Sequence, residues 1–134
     1  RPYVNPDKME RCRQPGPDNT EWLAGYMESF ARVAPDMHPV LSQRAVELGP
    51  EVQLNDLLAC DGFDVMDQLG GIDLPTQVLC GSEDMVTPVK YADYLTEHMQ
   101  NVRETIILGG SHFFQMEEYK IVNEEIENFM ASLK

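Results

Sequence analysis

The chain has no closely spaced cysteine pair, no long apolar run and few positive charges. Its three cysteines, Cys12, Cys60 and Cys80, are odd in number and far apart. That excludes a disulfide framework and a Cys-x-x-Cys metal motif. Cys80 lies in a strand-like apolar run and Cys60 in a helix-like one. Both read as small buried hydrophobes in a reducing compartment, so a cytoplasmic location is expected. The apolar runs fall far short of the roughly 18 residues that a membrane span needs. No positive region precedes an apolar one near Arg1, so no signal peptide is expected. Lys and Arg total 10 against 23 Asp and Glu, a formal charge of −13. Such a chain repels nucleic acid phosphates and anionic membranes, and neither is expected as a partner. The zinc-protease helix motif, the phosphate-cradling glycine loop and the Ca²⁺ loop are also absent, so no metal or cofactor is expected.

What remains is a globular composition. The chain has 134 residues, 43% hydrophobic and 25% charged, enough for one ordinary core. It opens on Arg1 and the proline-rich "RPYVNPD", so the natural protein is expected to extend upstream. Residues 1 to 17 read as irregular, with a helical turn around "DKMERC". "DNTEWLAGYMESFARVAPD" reads as one helix, with Trp22, Tyr26 and Phe30 on one face. "HPVLSQRAVELG" and "PEVQLNDLLAC" read as two more, ended by Gly49 and Gly62. "FDVMDQLGG" adds a turn or two. Asp61, Asp64 and Asp67 are spaced for one solvated helix side.

From Ile72 the pattern changes. "IDLPTQVLCG" is a short strand entered after Pro75, and "TPVKYADYLTEHMQ" is a helix beginning near Thr87 or Pro88. "ETIILGG" is a second strand. "EEYKIVNEEIENFMASLK" is an amphipathic final helix, with Ile121, Val122, Ile126, Phe129, Met130 and Leu133 on its core face. Its acidic first turn and Lys134 suit the helix dipole. Strand, helix, strand, helix implies an α/β arrangement with two parallel strands and flanking helices. Two such strands alone make an incomplete sheet with open edges.

Sites in open parallel sheets form at the carboxyl ends of strands. One strand ends in "GSEDMVTP" and the other in "GGSHFF", so Asp84 and His112 are expected to approach each other. A carboxylate bonded to an imidazole fixes its tautomer and lets it act as a base near neutral pH. The structural alternatives are a helix cap for Asp84 and a packed core role for His112. For Trp22, Tyr26 and Phe30 the alternatives are packing or the wall of an apolar substrate pocket.

Residues 72 to 134 resemble the C-terminal end of an α/β-hydrolase fold enzyme. The match rests on Pro75, on Gly81, Asp84, Thr87 and Pro88 in a Gly-x-x-Asp-x-x-Thr-Pro pattern, and on the glycine-rich turn ending in His112. The resemblance implies that Asp84 is the acid and His112 the base of a Ser-Asp-His triad, with Met85 and Phe113 contacting substrate beside them. It implies a helical cap over residues 1–62, with Trp22, Tyr26 and Phe30 lining its pocket, and a core portion over 63–134. It implies ester hydrolysis of a small-molecule substrate. Ser111 stands where a glycine commonly precedes the histidine.

The family's Gly-x-Ser-x-Gly nucleophile turn is missing. None of the five serines, Ser29, Ser42, Ser82, Ser111 and Ser132, has glycines two residues to each side. The chain alone is therefore expected to be inactive. Its expected partner is a missing N-terminal half or a second copy of itself. The competing reading is a non-catalytic module that binds ligands or self-associates.

Overall fold

A computed structural model describes residues 4–16 and 18–133. The expectations for Arg1 to Tyr3, Pro17 and Lys134 lie outside the described residues. The chain forms two compact units, Arg1–Asp64 and Val65–Lys134.

The first unit is helical. Helix α1 spans Pro6–Arg13, a full helix where the sequence suggested a turn. The Asn5 side chain accepts from the Asp7 amide and Pro6 supplies a pre-set φ at the first position. Helix α2 spans Thr20–Glu28 and stops earlier than its periodicity suggests. Single-turn hydrogen bonds, Phe30 N to Met27 O and Val33 N to Phe30 O, then carry the chain onward. They keep Phe30 and Val33 buried. The apolar spacing thus continues although the helix does not. Helix α3 spans His38–Gly62 and breaks at Gly49, whose φ of 76° leads into Pro50. Proline has no amide to continue the ladder, so the two expected helices meet there at a kink. Trp22, Cys12 and Ala45 form the core, flanked by Leu23, Tyr26, Leu54 and Leu57. Cys60, expected inside, is exposed: it falls near the end of α3, away from those packing positions. The expected acidic face does not form either. Helix α3 ends at Gly62, so Asp64 follows it and Asp67 lies in a 3₁₀ turn, Met66–Gly71.

The second unit runs β1 (Thr76–Gly81), α4 (Lys90–His98), β2 (Val102–Ile107), α5 (Phe114–Glu117) and α6 (Tyr119–Ser132). Among the described residues the sheet has two strands, β1 and β2. They are parallel, in register from Thr76↔Val102 to Gly81↔Ile107. Side chains alternate between the two faces of a strand. Arg103 and Thr105 bond the Glu125 carboxylate on α6, whereas Glu104 accepts from Thr96 on α4. The two helices therefore cover opposite faces. Cys80 and Ile107 are buried, while Val78, Leu79 and Ile106 stay half-buried.

Two details differ from the sequence reading. Helix α4 begins at Lys90, because Asp84 holds Val86 and Thr87 in the preceding turn. The last helix is split, with Glu117 closing α5 and α6 starting at Tyr119. The expected acidic first turn is thus absent from α6. Of its apolar side chains only Val122 is buried; Ile121, Ile126 and Met130 are exposed, as is Leu133 just past its end.

Candidate active site

The second unit brings the ends of its two strands together through glycine. Ser82 donates its amide to Ile107 O, and Glu83 its amide to Gly110 O, both at 2.9 Å. Ser82 Oγ accepts from the Gly109 amide. Gly109 turns the chain with a φ of 77°, a region that favours glycine. Gly81 and Gly110 lie against each other. A Cβ on Gly81 would overlap the Gly110 carbonyl oxygen and come within 2.5 Å of Ser111 O. The chain can place Asp84 and His112 side by side because these positions lack side chains.

Asp84 is 5% exposed, the sole buried charged residue among those described. Its Oδ1 accepts from the amides of Val86 and Thr87, each at 2.8 Å. Its Oδ2 accepts from Thr87 Oγ1 and faces His112 Nδ1, both at 2.9 Å. The expected helix-cap role is not met, because Val89 and not Asp84 precedes the first residue of α4; Oδ1 instead closes the turn at Val86 and Thr87, while Oδ2 faces the imidazole. Burial pushes the carboxyl up, but the bonds from His112, the two amides and Thr87 outweigh it, so Asp84 ends below its ordinary 3.8. An ionised carboxylate only accepts, so the proton of that contact resides on Nδ1 of His112. In the neutral imidazole Nε2 then carries the lone pair. It has no hydrogen-bond partner among the described residues. The imidazole is about one-third exposed, and Phe113 meets it edge-on at 5.2 Å.

The depressed carboxyl has a consequence for stability. The unfolded chain takes up the Asp84 proton more readily, so the stabilisation is complete above its ordinary range and is lost as pH falls through the folded value. Acid titration followed by circular dichroism should show destabilisation below about pH 4, and less of it in Asp84→Asn.

Met85, expected at the substrate, follows Asp84 and is 88% exposed. Trp22, Tyr26 and Phe30 belong to the helical unit and contact one another, with ring centroids 5.7 and 5.4 Å apart. Trp22 and Phe30 are buried, and Trp22 Nε1 donates to Gln53 Oε1 at 2.6 Å. Both rings pack within the helical unit, and Trp22 also lines, with Tyr26, the cavity beside them. Tyr26 is half-buried beside this cavity of about 30 Å³, room for little more than water. Ser82 and Ser111 hold turn bonds, Ser82 to Gly109 and Ser111 to Glu117. Sequence reasoning missed Glu117, whose carboxylate accepts from both the amide and the hydroxyl of Ser111. Among the described residues no three His, Cys, Asp or Glu side chains converge to hold a metal ion.

No family model matches the chain. It is 29% identical over 112 residues to 3-oxoadipate enol-lactonase 2 of Acinetobacter baylyi, covering 83% of this chain and 40% of that protein. The esterase from Exiguobacterium antarcticum superposes with a TM-score of 0.80 at 21% identity, over 92% of this chain and 46% of the esterase. A lipase-esterase related protein from Clostridium acetobutylicum gives 0.69 at 28% identity, over 94% and 50%. Bromoperoxidase from Bacillus anthracis gives 0.82 at 19%, over 94% and 48%. The chain has the α/β-hydrolase fold, in the form of that fold's C-terminal portion. It spans about half the length of the proteins it matches, which include esterases and an enol-lactonase.

Proposed function

We propose that the chain supplies the acid–base half of a carboxylic-ester hydrolase site, with Asp84 and His112 as two members of a Ser-Asp-His triad. The observation that carries this reading is the 2.9 Å bond between Asp84 Oδ2 and His112 Nδ1 at the carboxyl ends of adjacent parallel strands. Nε2 of His112 takes the proton of a serine hydroxyl as that oxygen attacks the ester carbonyl. It then returns the proton to the departing alkoxide, and a water repeats the cycle. Asp84 stays ionised, holds the Nδ1–H tautomer and stabilises the imidazolium formed in between. Thr87, bonded to Asp84 through its amide and hydroxyl, positions that carboxylate.

The serine comes from polypeptide outside these 134 residues, which hold no Gly-x-Ser-x-Gly. The substrate is a small, partly apolar ester or lactone, the latter suggested by the enol-lactonase relative. Residues 1–62 form the cap segment and 63–134 the core portion, with Trp22, Tyr26, Phe30, Met85 and Phe113 the side chains assigned to substrate contact. No helix is long and apolar enough to cross a membrane among the described residues. Three free cysteines fit a cytoplasmic setting.

The purified 134-residue chain should hydrolyse p-nitrophenyl acetate no faster than buffer and take no label from a fluorophosphonate. United with a segment carrying Gly-x-Ser-x-Gly, it should gain both, and His112→Ala should remove the hydrolysis. Fluorophosphonate-sensitive hydrolysis by the chain alone would sink the proposal.

A second reading, a non-catalytic module that associates with itself, draws on the exposed apolar side chains of α6 and the open two-stranded sheet. Sedimentation equilibrium separates the two. A stable dimer that gains no hydrolysis from a nucleophile segment favours the module.

A further inference from the structure

His112 is held through its ring by Asp84, but a ring is placed only as well as the backbone that carries it. That backbone belongs to neither a strand nor a helix, since β2 ends at Ile107 and α5 begins at Phe114. Between them, Gly110 accepts from the Glu83 amide, and Ser111 O accepts from the Phe114 amide. The third anchor is a side chain. Glu117, the last residue of α5, turns its carboxylate back onto Ser111. Oε2 accepts the Ser111 amide at 2.9 Å, and Oε1 accepts the Ser111 hydroxyl. Glu117 is itself fixed, because its amide donates to Phe113 O. The residue before His112 is thus gripped twice by one charged group, and bonds to a charged acceptor are about twice as strong as neutral ones. Ser111 is also the position where the chain departs from the usual glycine. The departure and its partner carboxylate make one device.

We propose that Glu117 is a positioning residue, which clamps Ser111 and so fixes the imidazole of His112 against Asp84. This rests on the acid–base reading of that pair. Glu117 transfers no proton and touches no substrate. Its effect reaches the reaction through the angle at which Nε2 is presented. A carboxylate with two acceptor oxygens suits two donors on one residue. Glutamine keeps the shape but has one acceptor oxygen, and its amide nitrogen can only donate.

The test is proton NMR of the 134-residue chain, observing the Nδ1–H of His112 and its exchange with solvent, with Tm measured alongside. In the unaltered chain the hydrogen-bonded Nδ1–H signal should be seen, and Asp84→Asn should abolish it. If it is missing in the unaltered chain, the Asp84–His112 reading fails, and the role of Glu117 falls with it. With the signal present, Glu117→Gln should speed its exchange by about tenfold, as for losing one charge-assisted bond, with Tm lower by about 5 °C and the strand amides still protected. Glu117→Ala should broaden it away while the β1 and β2 amides stay protected. Unchanged exchange in Glu117→Gln overturns the proposal while leaving the Asp84–His112 pair standing. So does an exchange increase matched by equal loss of protection across the strands, since that is general loosening.

Discussion

Replacing Asp84 by asparagine is expected to lower kcat by about 10,000-fold once a nucleophile is supplied, with the fold retained. Asparagine keeps an oxygen where Oδ1 accepts the amides of Val86 and Thr87, so the turn survives. At the other position an NH₂ group replaces an acceptor. It donates to Nδ1 of His112, which then carries the lone pair, and the proton moves to Nε2. The imidazole is held in place with the wrong nitrogen protonated, and it cannot take a proton from serine. Steady-state hydrolysis of a p-nitrophenyl ester checks this, with circular dichroism as the control for folding. A loss of only a few-fold would mean that Asp84 holds the turn at Val86 and Thr87 and nothing more.

Replacing Gly81 by alanine is the second large effect, and it acts on structure. The new methyl would meet the Gly110 carbonyl and Ser111 O, which are backbone atoms and cannot rotate away. The strand ends must separate, opening the Glu83 to Gly110 bond and the Asp84–His112 contact with it. Overpacking of this kind costs about 1–3 kcal/mol, so Tm should fall by roughly 5–20 °C. Gly71→Ala, where a Cβ meets nothing within 4 Å, is the control and should leave Tm almost unchanged. Thermal melts of the two variants decide the point.

Much of the second unit can be read from the sequence because its signals are local. Pro75 marks the entry to β1, and short apolar runs separated by a helical period mark two parallel strands. The glycines at both strand ends then bring together two residues 28 positions apart. The chain hides what depends on tertiary partners. Phe30 and Val33 continue the apolar rhythm of α2, yet they are buried by turns. Cys60 has the apolar neighbours of a core residue, but α3 turns it to solvent. Glu117 looks like the acidic start of a long helix. A break at Glu118 instead leaves Glu117 at the end of α5, where its carboxylate reaches Ser111. Charge near a helix start is commonly read as dipole compensation, and nothing in the sequence marks this glutamate as different.

The exposed apolar side chains of α6 have the same origin. Ile121, Ile126 and Met130 follow the spacing of an apolar helix face, yet all three are exposed. Within the described residues of α6 only Val122 is buried. The same holds for the half-buried Val78 and Leu79 in β1. A strand so apolar normally has cover on both faces and neighbours on both edges.

The central claim is that Asp84 holds His112 as a base whose free nitrogen is Nε2. Nitrogen-15 NMR of the histidine side chains at neutral pH measures this directly. The prediction is that the neutral form of His112 is protonated at Nδ1, switching to the Nε2–H form in Asp84→Asn. A His112 already protonated at Nε2 in the unaltered chain, or one indifferent to Asp84, would contradict it.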